Sequence, residues 1–144
     1  IYPSGADQPL THAPPGATGV FPLSIVDLTQ DNFEDVIHKN AMVLVDFWAP
    51  WCGPCRAFAP VYEATAAQHA YVVFAKVNTE DQQELAATFQ IRSIPTLMLF
   101  REQIILFSQP GSLPGAALED ILAKARALDM DMVRKEIAEQ NTPA

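Results

Sequence analysis

Met42-Val43-Leu44-Val45-Asp46-Phe47-Trp48 is an unbroken apolar, β-prone run apart from one acid. Continuous rather than alternating apolarity predicts a strand covered on both faces, as in a parallel sheet. Leu23 to Asp27 reads as a short strand ahead of it. Between the two, Asp31 offers an N-cap with Glu34 three residues on, and Phe33, Val36 and Ile37 share one face of the helix that follows. Tyr71 to Val77 is a second apolar strand, Asp81 to Phe89 a short helix, and Thr96 to Phe100 a third strong strand. Ile104 to Phe107 is close enough to that strand to form a hairpin with it. Leu113 to Leu128 predicts an amphipathic helix with Leu118, Ile121, Leu122 and Ala125 on one face.

The segment after the first long strand reads Pro50-Trp51-Cys52-Gly53-Pro54-Cys55. An Ala-rich helix should run from about Cys52 towards Ala70, kinked at Pro60. The element order is β-α-β-α-β-α-β-β-α. Early β-α alternation demands parallel pairing through right-handed crossovers, so the expected class is α/β, a mixed sheet with helices on both faces. Residues 1–22 form a Pro/Gly-rich leader with few apolar positions, expected to be flexible, and residues 23–128 form one domain. Residues 129–144 form a tail in which Met132, Val133 and Ile137 give weak helical spacing. It extends the last helix, forms a separate one, or stays partly ordered.

The net charge of −8 leaves a nucleic-acid role without electrostatic support. No run approaches 18 apolar residues, so no membrane insertion is expected. The first residue is Ile1, not Met, and prior removal of an N-terminal segment stays open as a reading.

Two cysteines only, three positions apart, point to redox chemistry or metal binding rather than a disulfide framework. Structural zinc requires four ligands, and His12, His38 and His69 show no ligand spacing, so no metal is expected. Placement decides for redox: Cys52 follows a buried strand and opens a helix. There, backbone N–H groups and the positive end of the dipole favour its thiolate, the form that attacks disulfides. Cys55, about one turn further in and less exposed, suits the resolving thiol. Asp46, set among six apolar neighbours, should be buried with a raised pKa, able to exchange protons with Cys55. Lys76 interrupts the next strand and is either a neighbour of Asp46 or a surface lysine lying along the sheet. Pro95, entering a strong strand, is a candidate cis proline.

Trp48-Ala49-Pro50-Trp51-Cys52-Gly53-Pro54-Cys55-Arg56 resembles the active-site signature of the thioredoxin family. The likeness continues at Asp46, Lys76, Pro60, Arg92-Ser93-Ile94-Pro95-Thr96 and Gly111, and spans roughly Leu23 to Leu128. It implies a thioredoxin fold, with a central mixed five-stranded sheet flanked by four helices. It also implies a protein-disulfide reductase with Cys52 as nucleophile, Cys55 as resolving thiol and Asp46 as proton-transfer group. Lys76 would support Asp46, and Trp51, Gly53, Pro54, Ile94, Pro95 and Gly111 would line the substrate surface, with client backbone pairing beside Pro95.

The family needs no bound cofactor beyond its redox-active disulfide; NADPH is used only by the partner, thioredoxin reductase. Disulfide-containing client proteins are the other implied partners, a monomer the implied state, and the cytoplasm the implied location, with the periplasm as the other. Gly53-Pro54, without a histidine, resembles the reducing branch. The alternatives are a cell-envelope protein for disulfide oxidation, isomerisation or maturation, and a thioredoxin-fold co-chaperone or binding module. Arg101-Glu102-Gln103 lacks the Asn-Gly or Asp-Gly common in the family hairpin, which leaves its turn type open.

Overall fold

The computed structural model describes residues 25–141. The expected leader, the start of the first strand at Leu23-Ser24, and residues 142–144 lie outside that range. Among the described residues five strands run β1 (Val26–Asp27), β2 (Met42–Trp48), β3 (Val73–Asn78), β4 (Thr96–Arg101) and β5 (Ile104–Pro110). Five helices are present among the described residues: α1 (Phe33–Lys39), α2 (Gly53–Ala66), α3 (Gln83–Thr88), α4 (Gly115–Ala127) and α5 (Met130–Gln140). The first four are the expected ones, and the tail forms the fifth as a separate helix.

The sheet order is β1-β3-β2-β4-β5. β1, β3 and β2 are parallel, whereas β4 runs antiparallel to β2 and β5 antiparallel to β4. β2 is therefore central, and its apolar run is explained by helices on both sides. Alternate residues feed two cores. Val43, Val45 and Phe47 join Phe33 and Ile37 of α1 and Leu85 of α3 on one face. Met42 and Leu44 join Phe58 and Tyr62 of α2 and Leu118 and Leu122 of α4 on the other. By the same parity, Asp46 points to the α2 face.

Four local expectations are corrected. Asp31 does not cap α1; Asn32 occupies that position and makes no side-chain cap bond. Its amide is used on the preceding turn instead, accepting from Thr29 N at 2.7 Å and donating to the Asp27 carbonyl at 3.1 Å. The helix from Cys52 stops at Ala66 rather than reaching Ala70, because residues 67–68 turn towards β3. β3 begins at Val73 rather than Tyr71, and β5 extends to Pro110, paired with Thr96.

α4 and α5 are tied to the hairpin. Arg101 Nη1 donates to the carbonyls of Ala125 (2.8 Å), Leu128 (2.9 Å) and Arg126 (3.3 Å) at the C-terminal end of α4, where the last turn runs out of backbone donors. Asp129 caps α5 by accepting from Asp131 N and Met132 N. Met130 is buried, and Arg134 pairs with Glu102.

Glu102 and Gln103 both have positive φ, 52° and 70°. That is the two-residue primed turn which matches strand twist, built here without the glycine that normally removes its steric cost. Gln103→Gly should therefore stabilise the protein by about 0.5–1 kcal/mol, the relief of left-handed strain exceeding glycine's added unfolded-state entropy. A urea unfolding midpoint that rises checks this; a fall would mean the Gln103 side chain contributes more to the turn than its backbone costs.

Candidate active site

β2 ends at Trp48, and Ala49-Pro50-Trp51 carries the chain to the start of α2. Cys52 is the N-cap of this 14-residue helix. Its extended backbone (φ −85°, ψ 111°) turns its sulfur back over the first helical turn, where it accepts the backbone N–H of Cys55 at 3.2 Å. Pro54 sits in that first turn, where its missing N–H costs nothing. Cys52 and Cys55 form a disulfide, and both are buried. Pro60 lies within the helix, which continues through it.

Beside the pair lies the loop before β4. Ile94-Pro95 is a cis peptide bond, and the Ile94 carbonyl oxygen stands 3.9 Å from Cys52 Sγ. The Pro95 carbonyl is taken by Gly111 N at 2.7 Å, so the carbonyl facing the sulfur is that of Ile94. Gly111 has φ +100°, a conformation that strains any side-chain-bearing residue. Ala49, Cys52, Cys55, Trp48 and Ile94 pack as one small apolar cluster. Trp51 is 63% exposed at its edge, with its indole N–H donating to Glu80 Oε2 at 2.7 Å. Glu80 is a contact that no local signal in the sequence announced, since 29 residues separate the two. Arg56 Nη1 likewise donates to the Pro50 carbonyl at 3.1 Å.

Asp46 is 1% exposed, and neither carboxyl oxygen has a hydrogen-bond partner among the described residues. Its Cα partners are Lys76 on β3 and Leu97 on β4. Of the two readings of Lys76, the register thus supports the neighbour of Asp46. Its ammonium lies 4.9 Å from the centre of the Trp48 ring. Burial raises the Asp46 pKa from 3.8 to about 7, with the charge of Lys76 opposing the rise. Lys76 and Trp48 also border a cavity of about 290 Å³ that includes Glu63, Asp27 and Asp81. No group of three or more potential metal ligands occurs among the described residues. The site's chemistry is that of a two-electron dithiol–disulfide couple at the start of α2, with the raised carboxyl of Asp46 on the face of the sheet that α2 covers.

The Thioredoxin family model matches residues 24–124. A Streptomyces coelicolor protein that carries the name thioredoxin 2 is 56% identical over 121 residues, covering 84% of this chain and 90% of its own. A Porphyra purpurea thioredoxin is 42% identical over 104 residues, covering 71% of this chain and 97% of its own. Among solved structures, a Halobacterium salinarum thioredoxin variant superposes with a TM-score of 0.69 at 33% identity, covering 75% of this chain and 96% of that one.

The buried acid has a measurable consequence for stability. Between pH 3.8 and about 7 the folded chain keeps a proton on Asp46 that the unfolded chain has lost. Stability therefore falls as pH rises through that window and levels off above it. The gap corresponds to about 4 kcal/mol at pH 8. Asp46→Asn should remove this slope, stabilising the oxidised protein by several kcal/mol at pH 8 and far less at pH 4. Paired denaturant titrations at the two pH values test this, and an equal effect at both would assign the change to packing rather than charge.

Proposed function

The chain belongs to the thioredoxin family of thiol–disulfide oxidoreductases, and from that premise we propose how its residues divide the reduction of a protein disulfide. The observation that carries the assignment is the sulfur of Cys52 at the N-cap of α2, met by the Cys55 N–H and set against the Ile94 carbonyl. A negative charge formed on that sulfur is met by a backbone donor and the positive end of the helix dipole. Cys52 is the nucleophile: its thiolate attacks one sulfur of a client disulfide, forms a mixed disulfide, and expels the client's other sulfur as a thiolate that takes up a proton.

Cys55 resolves that intermediate. Its thiol gives a proton to the Asp46 carboxylate, and the thiolate so formed attacks Cys52 Sγ. The Cys52–client bond breaks, and the client's second thiolate leaves. The product is the Cys52–Cys55 disulfide seen in this structure. An acid held to about 7 has the proton affinity this exchange requires at neutral pH. Asp46 shares the α2 face of the sheet with the helix that carries Cys55. Lys76, its Cα partner, limits the rise and keeps a useful fraction ionised.

Trp51, Gly53, Pro54, Ile94, Pro95 and Gly111 form the surface that receives the client. The exposed Trp51 ring supplies apolar contact, and its bond to Glu80 holds the ring in one orientation. Gly53 has open space where a Cβ would stand, so client backbone can approach there. The Gly111–Pro95 bond directs backbone pairing with an extended client to Ile94 rather than Pro95. Thioredoxin reductase, drawing on NADPH, returns the disulfide to the dithiol, and the protein's own two sulfurs are the only redox group it needs. We place this monomeric reductant in a reducing compartment, the cytoplasm, as its pair of cysteines without further disulfides suggests.

The roles separate by mutation. With NADPH and a thioredoxin reductase, the wild type should reduce insulin and Cys52→Ser should not. Cys55→Ser should accumulate a mixed disulfide with the client, visible as a shifted band on a non-reducing gel. Asp46→Asn should slow resolution roughly tenfold or more at pH 7 while leaving the initial attack nearly unchanged. Normal turnover by Cys55→Ser would overturn the division between the sulfurs, and equal slowing of both steps would remove Asp46 from proton transfer. A reduction potential as high as that of periplasmic oxidants would instead assign the protein to disulfide formation.

A further inference from the structure

Tyr62 is fully buried in the α2 face of the core, and the scheme above does not use it. Its ring packs against Phe58 at 5.6 Å and Phe74 at 5.2 Å, a role that phenylalanine fills equally well. The hydroxyl is different: a polar atom in an apolar core is costly unless paired. Here its oxygen lies 2.8 Å from the Leu44 carbonyl on β2 and 2.8 Å from the Ala75 carbonyl on β3. It has one proton for two acceptors.

The positions of those acceptors single them out. Leu44 is two residues before Asp46 on the same strand and the same face. Ala75 immediately precedes Lys76, the Cα partner of Asp46. Tyr62 itself lies on α2 seven residues after Cys55, two helical turns along one face. A single hydroxyl thus bridges the helix bearing the cysteines to the two strands bearing the acid and its lysine.

We propose that Tyr62 is a positioning residue for Asp46, its hydroxyl covering the Leu44 and Ala75 carbonyl oxygens and so setting how readily that carboxyl exchanges its proton. The proposal rests on the proton-transfer role given to Asp46 above. Without the hydroxyl, the two carbonyl oxygens would be left to the pairing of their strands alone, and the surroundings of Asp46 would lose a polar group. Both changes disfavour the carboxylate. The coupling runs in the other direction too: burial and then the charge of Asp46 hold the Tyr62 hydroxyl protonated. The other charged or titratable groups are Lys76 on β3 and the cysteines at the start of α2. β4 sets Leu97 opposite Asp46, and Glu63, Asp27 and Asp81 border the Lys76 cavity.

Tyr62→Phe keeps the ring and deletes one oxygen. In full-length protein, the rate at which Cys55 resolves a preformed mixed disulfide should keep its inflection near neutrality but move it up by about 0.5 pH unit. That is a loss of about twofold at pH 7, approaching about threefold well below the inflection and vanishing above pH 9. A lowered unfolding midpoint with an unmoved inflection would reduce Tyr62 to core packing and overturn the proposal. Fluorotyrosine at position 62 has a more acidic hydroxyl, hence a stronger donor, and should move the inflection down; an upward or absent shift counts against the proposal even if the Phe variant proves too unstable to assay. Asp46→Asn separates the two layers of argument. If it leaves the wild-type inflection in place, the proton-transfer reading of Asp46 fails. If it removes the inflection while both Tyr62 substitutions leave it fixed, only the Tyr62 proposal fails.

Discussion

One short contact organises the active end of this molecule: a backbone N–H of the first turn of α2 aimed at the sulfur of the residue that caps it. The contact exists because β2 is buried on both faces and stops at Trp48, and because Ala49-Pro50-Trp51 leaves Cys52 extended before the helix begins. A sulfur placed there is met by a donor and a dipole it did not have to attract, and the helix stands braced against the sheet through Phe58 and Tyr62. The cis loop at Pro95 needs the same bracing. β4 pairs with β2 along six residues and delivers Ile94 to the sulfur, while Gly111, at the far end of the hairpin partner, closes the loop.

Beneath this lies a polar core that lowers stability. Asp46 has no hydrogen-bonding partner for its oxygens among the described residues, and Trp48 Nε1 is likewise buried without one. A core selected for stability alone would replace both. For Asp46 the proposed mechanism supplies a use: burial brings its carboxyl to about 7, the range that the proton exchange assigned to it above calls for. Lys76 sits where it opposes that effect without abolishing it, and the bridge made by Tyr62 lies in the same layer. The cost is carried by the two apolar cores on either side of the sheet.

Much of this was legible in the chain. The strand–turn–helix placement of the cysteines, the single acid within an apolar strand, and the proline entering β4 each marked a position because they broke a local pattern. Patterns failed where two residues competed for one local role. Asp31 has the spacing of an N-cap, yet Asn32 takes the position because its amide has a prior use on the turn from Thr29. The Glu102-Gln103 hairpin carries no glycine, and its primed turn is imposed by the pairing of β4 with β5 and by the Glu102 N–H bond to Ala41. The Trp51–Glu80 and Tyr62–Leu44 contacts, 29 and 18 residues apart, leave no trace in any short window.

The amino-acid sequence alone determined the identity of the reacting pair, the helix it opens and the class of fold, because each depends on residue type and periodicity over a few positions. Whether Asp46 faces Cys55's side of the sheet, whether Lys76 is its neighbour, and which carbonyl confronts the sulfur depended on strand register and loop closure. Those are properties of distant segments brought together, and no run of adjacent residues encodes them by itself.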